Sequence, residues 1–381
     1  MQGSVTPLGQ NALLALDTIH QRPTVGIPTW MLNIMEHASL ERLAGVPAGR
    51  YLSDQVAVYL AAQRAIGVCM IDQWIPTNPA TLGAHGYEGR DKGATTGAET
   101  VVLDGMTIDS PEAVAEHLER IVFPRLAGDT ATFDEAACTA RIRAAERATQ
   151  DLFGPGILKV PYGVARFPVF RYGQYGYVNY FIAYALYPDL MARDFALQAE
   201  LALRVNRAAA RAYAEGGLPP MWRADFDMAD SRGTLVDVRS LDRIWFPQFA
   251  RCLEPVLRAG VRVIWHCDGN LMAMVPRLLE VGLSGFQGFQ YEDGMDYERI
   301  CRMKDRQGRD LLIVAGVSVT RTLPLGTPAD VRRELDWLVR AGPRTGLFLG
   351  ASSSIAPGVP WANLQTFIEG LAYYRTHGRA G

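Results

Sequence analysis

Eight short apolar runs, most followed by a stretch of helical periodicity, constrain this chain more than any other feature. They are Thr24–Trp30, Val68–Ile75, Ile157–Tyr162, Met221–Phe226, Val261–His266, Gly285–Gln290, Leu311–Val317 and Gly346–Gly350. Parallel strands need long crossover connections, usually helices, and this alternation supplies them. The pattern predicts α/β architecture in one domain: a single (β/α)8 TIM barrel over residues 24–381, preceded by an N-terminal helical extension over residues 1–23. An open doubly wound sheet is the other arrangement that fits. No linker or low-complexity stretch divides the chain, and no repeat of fixed 20–50-residue period occurs.

Several helices can be read in detail. Tyr187, Met191, Phe195, Ala202, Val205, Ala209 and Tyr213 form one stripe, with Arg193, Glu200, Arg204, Arg207 and Arg211 opposite. Gly216 and Gly217 end that helix. Thr327-Pro328-Ala329-Asp330 opens another, with Val331, Leu335, Leu338 and Val339 buried and Gly342 as the stop. Ser110-Pro111-Glu112 opens a third in the same way. Asn78 to Thr107 is long, Gly-rich and polar, and is expected to be a loop after the second strand. Loops of that length are often lids, and this one is placed to cover a site at the barrel mouth.

Composition narrows the function classes. The 381 residues carry 38 Lys plus Arg against 40 Asp plus Glu, a net charge of −2. Without a basic field, nucleic acid is a poor partner. No apolar run approaches the roughly 20 residues needed to span a bilayer, and the N-terminus lacks a signal-peptide layout. The five cysteines are scattered without CxxC, so a reducing cytoplasm is expected. Neither a dinucleotide-binding glycine motif nor a P-loop is present.

A barrel places its chemistry at the C-terminal ends of its strands. The polar residues there are Asp72, Tyr162, Arg223, Asp225, Asp227, His266, Asp268, Tyr291, Glu292, Arg321 and Ser353, with Arg171 beyond the third strand. Because strand side chains alternate faces, His266 and Asp268 share a side if the chain stays extended, as do Asp225 and Asp227, and Gln290 and Glu292. Cys267 points the other way. Carboxylates around one imidazole suit general acid/base work or a divalent metal. Plain structural readings stand beside these: a satisfied histidine, a turn-shaping Asp268, and Asp227 and Asp230 as helix caps. The Tyr-rich segment Phe167 to Tyr187 reads as core or pocket wall. His37 and His85 are weaker cavity candidates, His20 precedes the first strand, and His117 and His377 are expected to face solvent.

Several segments, in order, resemble the uroporphyrinogen decarboxylase superfamily, which includes corrinoid-linked methyltransferases. Asp227-Met228-Ala229-Asp230-Ser231-Arg232-Gly233 is similar to the family's D-x-A-D-x-x-G, and Trp245-Phe246-Pro247 to its F-F-x-P helix start. His266-Cys267-Asp268-Gly269-Asn270 resembles H-x-D-G-N. Gly316-Val317-Ser318-Val319 with Leu323-Pro324-Leu325-Gly326-Thr327-Pro328, and Ile355-Ala356-Pro357 with Val359-Pro360 and Asn363, resemble its last two motifs. The likeness is dense from about residue 220 to 372. It implies an enzyme, either a methyltransferase acting on a small methylated donor or a corrinoid protein, or a decarboxylase (a lyase) of a pyrrole or aromatic acid. A non-catalytic cofactor- or partner-binding barrel is the third reading.

The resemblance also implies roles. His266, Asp268, Asp227 and Asp72 are the expected catalytic residues; Tyr162, Arg171, Arg223, Tyr291, Arg321 and Ser353 are expected to bind substrate. The arginine motif that holds substrate carboxylates in true uroporphyrinogen decarboxylases is absent: the first strand ends Thr29-Trp30-Met31-Leu32-Asn33, and Gly49-Arg50-Tyr51 comes too late. Zinc relatives use H-x-C and a last Cys, where this chain has Asp268 and Ser353. A zinc or other divalent-metal site would therefore rest on His266, Asp268 and Glu292. A corrinoid would be carried by a partner protein, and a homodimer is the family expectation.

Overall fold

The computed structural model describes residues 7–81 and 101–379. It is mixed α/β. Five strands form one parallel sheet in the order Leu347–Ala351, Leu312–Val317, Gly285–Gln287, Arg262–His266, Met221–Asp225. Met70–Ile71 and Leu158–Lys159 form a second parallel pair. Parallel bridges at Thr29 to Leu349 and at Trp30 to Met70 link the pair to the sheet. Each of the eight apolar runs thus contributes to parallel pairing, but the first three do so over only two residues.

Proline explains the short pairing. Pro28 sits inside the first run, Pro161 inside the third, and Pro219-Pro220 precede the fourth. A proline has no N–H to donate to a ladder. Among the described residues no strand pairing joins Leu158–Lys159 to Met221–Asp225. That junction is spanned by the Tyr162 hydroxyl, which donates to Asp225 Oδ2 at 2.8 Å.

The helical expectations hold closely. The long helix Pro188–Gly216 buries Met191, Phe195, Ala202, Val205, Ala209 and Tyr213, leaves the five charged residues opposite exposed, and ends on Gly217 in the left-handed region. It packs on Glu135–Phe153 and Phe246–Arg258. Full burial of a side chain the size of Phe195 contributes about 1.5–3 kcal/mol. Two polar residues interrupt the stripe, each matched by loop partners. Asp194 is fully buried and takes a bidentate pair from Arg171. Asn206 bonds Arg166 N, Arg166 O and Cys252 O. Helix Pro328–Ala341 carries the full capping box between Thr327 and Asp330, and Ser110 caps Pro111–His117.

Four expectations are corrected. The stretch from Asn78 to Thr107 is not all loop: it starts with the turn Asn78–Thr81 and closes in a hairpin, Val101–Leu103 with Met106–Ile108. Asp104 and Gly105 both have positive φ, as a two-residue hairpin turn demands. Residues 82–100, including His85 and most of the expected lid, lie outside the described residues. His117 is fully buried rather than solvent-facing, between the Tyr175 hydroxyl at 2.8 Å and the Asp104 carboxylate at 3.1 Å. Neither Asp227 nor Asp230 caps the next helix, which is capped by Asp237. Gln290 and Glu292 do not continue a strand's alternation, because that strand ends at Gln287 and Tyr291–Asp293 is a 3-10 turn.

The Gln10–Ile19 helix lies within the extension expected at residues 1–23 and buries Ala12, Ala15 and Ile19. No helix among the described residues is long and apolar enough to cross a membrane.

Candidate active site

Strand alternation builds the site's floor. On Met221–Asp225, Arg223 and Asp225 project to the same side. Arg223 is buried and is fully engaged by protein groups. Its Nε donates to Asp72 Oδ2 at 2.6 Å, and one terminal nitrogen to Asp225 Oδ2 at 2.6 Å. The other reaches Gln73 at 3.0 Å. The guanidinium also lies over the rings of Trp30 and Tyr162, 5.3 and 4.9 Å from their centroids. Asp72 accepts from Trp30 Nε1 at 2.9 Å. Burial alone would raise the Asp72 carboxyl. The charge and hydrogen bond of Arg223, with Gln73 N–H and Trp30, outweigh it and hold Asp72 below the usual carboxylate range.

Beyond the strand ends, two turns are stitched together. Asp227 Oδ1 accepts from Asp268 N at 2.7 Å, and Asp230 O accepts from Asn270 N at 2.8 Å. Gly269 makes this closeness available: a Cβ there would lie 2.6 Å from Asp230 O, and its φ is +95°. Gly269 N in turn donates to Gln290 Oε1 at 2.9 Å. The outcome is one cluster. One ligand-type atom each from Asp227, His266 and Asp268 lies within 4.8 Å of the others. His266 Nε2 is 3.8 Å from Asp268 Oδ1 and 4.0 Å from Asp225 Oδ1. Both separations are too long for a hydrogen bond. Burial raises the Asp227 carboxyl above its ordinary value, and the neighbouring Asp268 and Asp225 charges add to that, against the Asp268 amide and His266.

The other face of the His266 ring is set by a glycine that the sequence reading did not single out. A Cβ on Gly288 would fall 2.5 Å from His266 Nδ1, and Gly288 has φ +78°. A glycine inside an apolar strand-like run often marks such a close approach, so that signal was present. Cys267 is turned away. Its buried sulfur accepts from Met228 N at 3.3 Å, and burial pushes the thiol up to about 12. On the opposite flank the Tyr172 hydroxyl donates to Asp227 O at 2.9 Å, and its ring contacts Phe181 and Phe226. Part of the Tyr-rich segment therefore packs beside this cluster.

The remaining sequence candidates lie apart from the cluster. The three-ligand set expected from sequence changes in one member: Asp227 takes the place of Glu292. Glu292 instead accepts from Ser318 Oγ at 2.8 Å and from the Thr320 hydroxyl. The 3-10 turn carries it there. Tyr291 bonds Gly316 O and Glu334, on the helix layer. Arg321 is exposed, Ser353 is half-buried, and Arg171 is taken by Asp194. His37 bonds Pro79 O at 3.0 Å. Arg50 is at the surface with Asp54. A separate cavity of about 650 Å³ opens between helices Phe246–Arg258 and Val275–Val281 and contains none of the cluster residues.

Glu334 gives a pH prediction. Burial raises its carboxyl to about 7, against the Ser318 N–H that donates to it. In the window between its ordinary value and about 7 the folded state binds more protons than the unfolded, so stability falls as pH rises. Glu334→Gln removes that slope and stabilises the protein near pH 8 by up to ~2 kcal/mol after solvent screening. Urea midpoints of both proteins at about pH 5 and about pH 8 measure it; a parallel slope in the variant would refute the assignment.

The fold and the cluster together define an α/β protein with an imidazole and carboxylates gathered where parallel strands end. No family model matches the chain, and no curated protein matches it. Among solved structures it is similar to a methyltransferase from Methanosarcina mazei, with TM-score 0.57, 16% identity, and coverage of 96% of this chain and 98% of that one. At that identity the likeness is one of fold.

Proposed function

We propose that this chain is a methyltransferase-like enzyme of the uroporphyrinogen decarboxylase superfamily, built on a closed (β/α)8 barrel over residues 24–381, with residues 1–23 as an extension. Its site is the hollow at the C-terminal strand ends. The observation that carries the reading is the convergence of Asp227, His266 and Asp268 at that rim. The end-to-end fold likeness to a methyltransferase supports it.

The donor set fits a divalent cation. Two carboxylates and an imidazole are oxygen and nitrogen ligands suited to zinc, manganese or cobalt. Asp268 Oδ1, which faces His266 Nε2 at 3.8 Å, is buried without a hydrogen-bond partner, which fits a missing counterpart between them. The neutral Cys267 thiol takes no part. Such an ion would act as a Lewis acid on the substrate heteroatom. The chain's own residues do the rest. Asp227 and Asp268 supply negative charge around the imidazole, and Gly288 leaves room for the ring's other edge. Tyr172 and Phe226 shield one side from water, and Trp30, Asp72 and Arg223 hold the floor rigid. The substrate is a small methylated molecule that exchanges its methyl group with a corrinoid carried by a partner protein docked over the rim, so the same step run in reverse carries methyl from cobalt to the demethylated molecule.

The decarboxylase reading needs a free arginine for a substrate carboxylate. Arg171 and Arg223 are both engaged by protein carboxylates, which leaves the exposed Arg321 as the one arginine expected from sequence for that role. The test incubates the zinc-loaded full chain with methylcobalamin and a panel of small thiols, amines and phenols as acceptors, followed by the cobalt absorption bands. Protein-dependent loss of the methyl–cobalt spectrum that disappears in His266→Ala is expected. No change with any acceptor, together with carbon dioxide release from a carboxylated pyrrole, would overturn it.

A further inference from the structure

The opposite edge of the sheet carries a second charged hollow. Arg262 opens the strand Arg262–His266, and Ser284 immediately precedes the strand Gly285–Gln287. Both therefore stand where strands begin, and about 13 Å of extended chain separates Arg262 from His266. With Asp305, Arg306 and Arg309 they line a hollow of about 90 Å³. That is several times the ~10–15 Å³ that a single water needs.

The charge around it is unbalanced. Three arginines line it against one carboxylate, and that carboxylate is spent on its own loop. Asp305 Oδ1 accepts from Gln307 N at 2.9 Å and from Arg309 N at 3.0 Å, and Oδ2 accepts from Arg309 Nε at 2.8 Å. Arg262 is left with Asp305 Oδ2 at 3.7 Å, too long for a hydrogen bond. Its side chain is only 7% exposed. One terminal nitrogen donates to Asp310 O at 3.1 Å, but Nε is buried with no partner. The Asp310 carboxylate is itself taken by Lys304 and Thr345. Arg306 donates to a backbone carbonyl, Val281 O at 3.3 Å, rather than to a carboxylate. A buried guanidinium without full pairing is costly. Burial, with the Arg309 charge beside it, lowers the Arg262 group to about 10.

We infer that this hollow binds a small dianionic oxyanion, phosphate or the head of a phosphate monoester, held chiefly by Arg262 and Arg306. Three guanidinium groups against one carboxylate leave an excess of two positive charges, which a dianion balances. The planar fork of a guanidinium matches phosphate oxygens. Leu257 and Arg306 line both this hollow and the 650 Å³ cavity between helices Phe246–Arg258 and Val275–Val281. The organic part of an ester thus has space beside its phosphate. The hollow shares no residue with the Asp227, His266 and Asp268 cluster, so the inference stands apart from the metal reading.

The experiment uses the full chain, freed of metal by chelation, at about pH 8, where phosphate is mostly a dianion. Inorganic phosphate and glycerol 3-phosphate are each titrated calorimetrically and added to thermal melts, with chloride at matched ionic strength as the reference. Saturating phosphate is expected to raise the melting temperature by about 2 °C or more over chloride. Arg306→Ala, an exposed position, is expected to weaken phosphate about tenfold with an unshifted melt in chloride, and Arg306→Lys to recover part of that. Arg262→Gln is expected to weaken it about a hundredfold. Tighter binding of the ester upholds the site as one for the head of a larger ligand, and equal binding upholds it as one for the free ion. Neither heat nor a melt shift with either compound, or wild-type affinity in both Arg306→Ala and Arg262→Gln, overturns the inference.

Discussion

Asp72→Asn is expected to destabilise the protein by about 3–5 kcal/mol, because it leaves a buried guanidinium short of a partner charge. Asp72 and Arg223 are both almost fully buried, and their 2.6 Å contact is the shortest link between the second and fourth apolar runs. Trp30 donates to the other carboxylate oxygen, so the substitution loosens three strands at once. Urea denaturation reads the effect as a lower midpoint with an unchanged slope. Adding Arg223→Met should restore part of the loss, since two neutral side chains leave no orphan charge. Acid has the matching sign. The folded Asp72 carboxyl lies below its ordinary value, so its contribution is present above that value and is lost as pH falls through the folded one. Asp72→Asn should therefore unfold with a shallower acid dependence. A variant as stable as the wild type would mean that the network does not support the sheet.

His266→Ala is expected to lower zinc affinity by at least about a hundredfold, the loss of the single nitrogen ligand from the cluster. Gly288→Ala should reach a weaker version of the same result without touching a ligand. Its methyl would fall 2.5 Å from His266 Nδ1, so the ring must swing or the backbone must shift. We expect affinity about tenfold lower and stability down by about 1–2 kcal/mol from the strained left-handed backbone. Glu292→Gln serves as the contrast: its carboxylate is bonded to Ser318 and Thr320, and zinc affinity should stay unchanged. Calorimetric zinc titration of the three variants measures all of this. Equal affinity in His266→Ala would remove the site assignment, and a large loss in Glu292→Gln would restore the triad expected from sequence.

Much of the frame was legible in the residues. Caps, stops and stripes, such as Thr327 with Asp330 or Met191 through Tyr213, depend on neighbours three or four positions away. Apolar runs announce strands wherever they sit. His266 and Asp268 do come close, but the strand ends at His266 and Asp268 lies in a bend, so the alternation expected for them is not what brings them together. The short pairing of the first and third runs was written in their prolines, although periodicity alone overstates such strands.

Other features needed the folded chain. Arg223 meets Asp72 across 151 positions, and Asp227 meets Asp268 across 41; no spacing rule relates such residues. Glu292 left the expected ligand set because a 3-10 turn replaced two more residues of strand, and only tertiary packing chose between those backbones. His117 went inside because a hairpin 13 residues upstream brought Asp104 to it. The sequence by itself determined which segments are helix or strand and which polar residues stand at their ends, since those follow from short-range sterics and burial. The tertiary structure decided which of those ends face one another, because that depends on how distant segments pack into a shared core.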